Sequence, residues 1–418
     1  MTLPRPDATI AGVVNKNSTI GINAIHGGAT AAEGFVAGGV ECGVRGSGRR
    51  DLGLLFSERR CAAAAVFTRN LVRGAPLEAT REAIEGGSVR AVVVNSGIAN
   101  AATGRKGLED AYAMQALAAE ALGIEAREVA VASTGVIGER LPMGRISSGI
   151  EEVALGRDGA GFAEAILTTD TRTKEAAVRV EIGGAIVTVG GAAKGSGMIH
   201  PNMGTMLAFL TTDAAVEKGC LQETLGEAAD RTFNRVTVDG DTSPSDLAVL
   251  LANGAAENER LTLGSPDYPV FAAAVEEVAR TLAKEIARDG EGATRLVEVV
   301  VEGARDEASA AALAKSVVGS NLVKAAVFGE DANWGRVLNA MGYSGVSFDP
   351  DGVELWFGPV RVFGDGEPVE HKEAEANAAL AAGELRITAR LGEGEASATA
   401  WGCDLTYEYV RINGRYRT

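Results

Sequence analysis

What the sequence lacks narrows its possibilities first. No apolar run approaches the roughly 20 residues that a membrane span needs, and the longest candidates, Ala62–Phe67 and Ala248–Ala252, are strand-sized. The opening MTLPRPDATI has no apolar signal region, so the cytoplasm is the expected compartment. Cations are in deficit. Forty Lys and Arg against 56 Asp and Glu give a formal charge of -16, which argues against a nucleic-acid partner, because such binding draws its affinity from Lys and Arg displacing counterions. Histidine is scarce too. None of His26, His200 and His371 has the flanking context of a catalytic base, so no Ser-His-Asp triad is expected, and His200 beside Pro201 reads as structural. The four cysteines, Cys42, Cys61, Cys220 and Cys403, show no CxxC spacing, which excludes a zinc knuckle or disulfide framework and leaves free, buried thiols. No repeat, low-complexity segment or Pro/Ser linker marks a boundary. Any division of the chain has to come from chemistry.

What is present is an ordinary globular composition, with 46% hydrophobic residues, enough for a full core or two. Apolar β-branched runs alternate with helical patterns, the mark of an α/β protein. Strands are expected at Val89–Asn95, Val129–Ser133, Leu247–Leu251, Leu296–Glu302, Leu322–Phe328, Glu384–Leu391 and Ala396–Ile412. Helices are expected at Leu108–Leu122, Phe162–Thr168, Leu221–Phe233, Val270–Arg288 and Glu307–Lys315. VRVEI and AIVTV flank Gly183-Gly184, a pair that tolerates positive φ at both turn positions and therefore predicts a tight hairpin.

The densest signal follows that hairpin, in KGSGMIHPNMGTML (Lys194–Leu207). On its own it reads as a glycine-rich turn entering a core strand. A phosphate cradle does not fit, because GxxxxGK[ST] is absent and no long helix opens behind the glycines. The unusual feature is a Gly204-Thr205 pair at the strand entrance, which puts a hydroxyl beside a flexible carbonyl. DGDTSPSD (Asp239–Asp246) begins like a calcium loop, but Pro244 stands where that loop needs Gly and Leu250 where it needs Glu, so no metal site is expected.

KGSGMIHPNMGTML resembles the autoprocessing motif of the ornithine acetyltransferase family, the bifunctional glutamate N-acetyltransferases of arginine biosynthesis. VVVNSGIANAATG (Val92–Gly104), ASTGVIGERLPM (Ala132–Met143), TTDTRTK (Thr168–Lys174), GEGATR (Gly290–Arg295), FGEDANWGR (Phe328–Arg336) and the terminal YVRINGRYRT resemble family segments in the expected order. Two departures stand out. Gly204 replaces the usual Ala before the nucleophile, and NSGIANA replaces NSGNANA. Glycine is sterically easier to strain into a cleavage conformation.

The resemblance implies a layered, mixed-sheet α/β fold of the ornithine acetyltransferase and D-aminopeptidase type. It implies self-cleavage into an alpha chain, residues 1–204, and a beta chain, residues 205–418, that begins at the nucleophile Thr205. Thr205 would carry acetyl from acetylornithine to glutamate, its new α-amine serving as base. The Thr134 hydroxyl and the Gly135 N–H would form the oxyanion hole; read from sequence alone, Ser133 and Thr134 cap a turn equally well. Lys194 would supply the cation and Glu291 the anion for substrate, with Thr171, Asn413 and Thr418 as further contacts. No cofactor is implied, and acetyl-CoA as co-substrate is left open. Two copies of each chain are implied, with no membrane partner. The alternative is an N-terminal-nucleophile aminopeptidase or amidase on the same scaffold.

Overall fold

The computed structural model describes residues 21–46, 48–200, 206–370 and 373–415. Its centre is a six-stranded mixed sheet in the order Asn23–Ile25, Lys174–Ile182, Ala185–Lys194, Leu207–Thr212, Leu247–Ala252 and Ala62–Phe67. The strand Leu207–Thr212 is buried at every position. Its alternating side chains therefore face two apolar layers, as the period of two in a strand demands.

On one side, Leu207 and Phe209 join Leu55, Val92 and Val94 of a four-stranded sheet made of Phe35–Val40, Leu52–Ser57, Ala91–Ile98 and Val129–Val136. Phe209 meets Phe162 edge to face, with ring centroids 5.5 Å apart. Burying such a ring stabilises the fold by about 1.5–3 kcal/mol. On the other side, Ala208 and Leu210 pack with the helices Lys218–Arg231 and Tyr268–Arg288. The helix Gly104–Leu122 covers the outer face of the four-stranded sheet through Met114 and Ala118. The result is a helix, sheet, sheet, helix stack. A seven-stranded sheet, containing Leu296–Ala304, Glu384–Arg390 and Ala396–Cys403, carries a separate core under the helices Glu307–Gly319 and Trp334–Gly342.

The Gly183-Gly184 turn forms as expected: both glycines have positive φ, 57° and 83°, and Ile182 pairs with Ala185. Two expectations are corrected. Leu322–Phe328 belongs to a helix, Asn321–Phe328, because Ser320 caps it by accepting from the Val323 N–H. The last expected strand stops at Cys403, and a helix, Tyr407–Asn413, follows because Thr406 accepts from the Glu408 N–H. Both were read as strands from β-branched content, and in both a hydroxyl cap decides otherwise. Among the described residues no single helix is long and apolar enough to cross a membrane. The helices Glu307–Gly319 and Asn321–Phe328 reach the required length and apolarity only as a pair bent by 56°.

Leu207–Thr212 and Leu247–Ala252 lie between Ala185–Lys194 on one side and Ala62–Phe67 on the other. A cut ahead of Thr205 assigns the inner two strands to one product and the outer two to the other. Neither product can leave without tearing two ladders of backbone hydrogen bonds. The two fragments are expected to co-elute on size exclusion in native buffer and to separate only in denaturant. Elution as two independent species in native buffer contradicts this interlocked sheet.

Candidate active site

A cavity of about 200 Å³ opens where the ends of both central sheets meet the turn after Arg288 and the C-terminal helix. Thr134 and Gly135 reach it from the end of Val129–Val136, Lys194 from the last position of its strand, and Met206 from the entrance to Leu207–Thr212. Glu291, Tyr409 and Asn413 close it from the far side. Gly204, Thr205 and Thr418 lie outside the described residues; Met206, the next residue after Thr205 in the chain, lines the cavity.

The Thr134 end of the cavity depends on a close approach of two parallel strands. Gly97 pairs with Gly135, and a Cβ on Gly135 would sit 2.2 Å from the Gly97 carbonyl carbon. Gly135 has φ of 130°, which an L side chain rarely adopts. Behind it, the Ser133 hydroxyl donates to Asn95 Oδ1 at 2.5 Å, and Asn95 Nδ2 donates to the Ile98 carbonyl at 2.9 Å. Asn100 Nδ2 donates to the Gly107 carbonyl at 2.8 Å, so the largely buried NSGIANA, residues 95–101, is the scaffold under this corner, and the ATG that follows it runs out to the surface.

Glu291 is fixed from two directions. Its N–H donates to the Ser196 carbonyl at 2.8 Å, and its Oε2 accepts from Asn413 Nδ2 at 2.7 Å. A Cβ on Gly197 would lie 2.3 Å from its carboxyl carbon, so the motif's second glycine makes room for this carboxylate. Among the described lining residues, Lys194 is the cation and Asp239, Asp241, Asp246 and Glu291 are the anions. Lys194 is 6% exposed, and its ammonium donates to the Thr168 hydroxyl at 2.7 Å. Thr168 and Thr169 line the cavity. Thr171 does not. Its N–H and hydroxyl both donate to Asp289, the N–H at 3.0 Å, and its exposed position gives it no place on the wall. Of the hydroxyls in this segment, those of Thr168 and Thr169 stand at the cavity and that of Thr171 does not.

The loop weighed as a calcium site is instead a wall and a clamp. Asp239 accepts from the N–H groups of Met198 and Ile199 at 2.7 and 2.8 Å, holding Met198 at a φ of 55°. The Tyr409 hydroxyl donates to Asp239 at 3.3 Å, and burial together with that carboxylate pushes its phenol well up. Thr242 donates to the His200 carbonyl at 3.0 Å. The His200 ring is bonded to Thr237 at 3.0 Å, and burial, with a smaller push from Lys315, brings it down to about 4, so it is neutral at physiological pH. The segment ahead of residue 201 is thus gripped by 237–242. Sequence reasoning missed Asp239 and Tyr409, whose signal was only their presence in DGDTSPSD and the terminal motif.

An arginine biosynthesis bifunctional protein ArgJ from Symbiobacterium thermophilum is 58% identical over 399 residues, 94% of this chain and 99% of its own. That of Bacillus subtilis is 50% identical over 396 residues, covering 94% of this chain and 97% of its own. A solved ArgJ chain from Bacillus halodurans matches with a TM-score of 0.50 at 49% identity, covered completely by 51% of this chain. The model of the ArgJ family matches residues 36–418, and the chain belongs to that family.

Proposed function

We propose that this protein is a glutamate N-acetyltransferase of arginine biosynthesis that moves the acetyl group of N2-acetylornithine to glutamate through Thr205, after cutting itself between Gly204 and Thr205. The observation that carries the reading is convergence. Segments scattered through the sequence bring Thr134, Gly135, Lys194, Met206, Glu291 and Asn413 to one cavity. The solved relative adds support, because about half of this chain accounts for all of that one, the share a cut ahead of Thr205 leaves.

In the precursor the Thr205 hydroxyl attacks the Gly204 carbonyl carbon, the C–N bond breaks, and water hydrolyses the resulting ester. This frees an α-amine on Thr205 whose reference pKa of about 7.7–8.0 suits a base near neutrality. In turnover the same hydroxyl gives its proton to that amine and attacks the acetyl carbonyl. Ornithine leaves with a proton, and the amine of glutamate then resolves the acetyl ester. The negative oxygen formed in each half is met by the Thr134 hydroxyl and the Gly135 N–H. Lys194 holds the substrate carboxylate, and Glu291, oriented by Asn413, holds the distal amine of ornithine. Thr168 and Thr169 complete the polar lining, and Thr418 is a further residue for substrate. Acetyl-CoA is a second possible donor, no bound cofactor takes part, the assembly has two copies of each fragment, and it works in the cytoplasm.

Acetylornithine should be consumed only when glutamate is supplied; steady release of acetate without glutamate would instead make the protein an amidase. Thr134→Ala should lower turnover by about 100- to 1000-fold while leaving the Michaelis constant nearly unchanged. An unaltered turnover number would show that the oxyanion is held elsewhere.

A further inference from the structure

Lys194 meets the cavity with its inner side already engaged by a charge cluster behind the wall. Its ammonium lies 3.8 Å from Asp170 Oδ2. Asp170 Oδ1 accepts from Lys174 Nζ and from the Gly195 N–H, both at 2.7 Å, and Oδ2 accepts from the Thr168 N–H at 2.9 Å. Lys174 also donates to Asp289 Oδ2 at 2.6 Å. Asp289 ends the helix Tyr268–Arg288, where the helix dipole disfavours an anion, and it stands two residues before Glu291. None of these four side chains is more than 8% exposed. Two cations and two anions thus tie together the segments that carry Lys194, Thr168 and Glu291. Buried ion pairs add little net stability over apolar packing, so the cluster's contribution is the geometry and charge it imposes.

We propose that Asp170, held in place by Lys174 and Asp289, is a positioning residue for acetyl transfer: it keeps the Lys194 ammonium ionised and aimed at the substrate carboxylate. This rests on the reading of Lys194 as the carboxylate-binding cation. Burial pulls the Lys194 pKa down, Asp170 opposes that most strongly, Lys174 adds to the fall, and Asp246 and Glu291 oppose it as well. Burial also disfavours the Asp170 carboxylate, but Lys194 and Lys174 outweigh it and hold that carboxyl well below the usual range. A lysine is charged below its pKa and neutral above it. Removing the Asp170 charge lowers the Lys194 pKa further, so affinity for a carboxylate should fall as pH rises and recover as pH is lowered.

Binding separates this effect from the rate, which also depends on the proposed Thr205 amine being neutral. Calorimetry on the processed wild type, Lys194→Met and Asp170→Asn would follow glutamate across a series of pH values from mildly acidic to mildly alkaline. The same proteins would be titrated with the mono-acetylated 1,4-diaminobutane, which has the acetyl amide and distal amine but no carboxylate. Lys194→Met should weaken glutamate about tenfold or more at every pH, the scale of a charge-assisted contact. Asp170→Asn should match it at the alkaline end and recover toward wild type at the acid end, with both variants binding the diamine normally. Normal glutamate binding by Lys194→Met would remove the carboxylate-binding reading itself. Weak binding by Lys194→Met beside wild-type binding by Asp170→Asn at every pH would overturn this inference alone, as would equal loss of both ligands in Asp170→Asn. If Asp170→Asn does not fold, Asp170→Glu decides: weakened glutamate with normal diamine supports the proposal, and wild-type glutamate affinity overturns it.

Discussion

The strand Leu207–Thr212 has a hydrogen-bonded neighbour on each edge and an apolar layer on each face, so it cannot slide. A slip of one residue would turn Phe209 from the inter-sheet core into the helix layer and reverse every other side chain with it. The same register pairs Leu207 with Lys194 on one side and with Leu247 on the other. It therefore fixes where the lysine ends its strand and where Asp246 and the rest of the 239–246 loop begin. The cavity exists because these ends are held level. A chain cut just ahead of this strand keeps its site, since the ladders that define it run across the cut.

Charge in the cavity is arranged so that opposite signs face different partners. Four carboxylates, Asp239, Asp241, Asp246 and Glu291, stand on its wall, and Lys194 is the cation among them. Enclosing a lysine this fully costs free energy unless a counter-charge is fixed nearby. That role falls to Asp170, which is itself neutralised by Lys174 and braced by backbone N–H groups. The charge that reaches the cavity is thus set from behind its wall.

The fold was legible where local chemistry and tertiary demand agree. Gly183-Gly184 needs two positive φ angles and obtains them, and the helix expected at Val270–Arg288 forms with an apolar face buried through Val275, Leu282 and Ile286. It was misread where β-branched residues belong to short capped helices, at Asn321–Phe328 and Tyr407–Asn413, because a single hydroxyl cap outweighs weak strand propensity. Of the site, Thr134, Gly135, Lys194, Glu291 and Asn413 were named from resemblance, and the structure brings all five to one cavity. Thr171 lies off the cavity wall that Thr168 and Thr169 line, because four threonines share TTDTRTK and only the backbone path decides which hydroxyls turn inward. Asp170, Lys174 and Asp239 stand inside TTDTRTK and DGDTSPSD, where nothing in the sequence gives them a role, and Asp289 stands just ahead of GEGATR. The two partners of Lys174, Asp170 and Asp289, are four and 115 residues away, and only the fold supplies the second.

The central claim is that Thr205, freed as a chain terminus, carries the acetyl group. Intact-mass analysis of the purified protein, before and after brief exposure to acetylornithine without glutamate, tests it most directly. The account predicts two chains, the second beginning at Thr205 and becoming heavier by one acetyl group that adding glutamate removes. A single uncut chain that transfers acetyl normally, or an acetyl group that resides on any other residue, would contradict it.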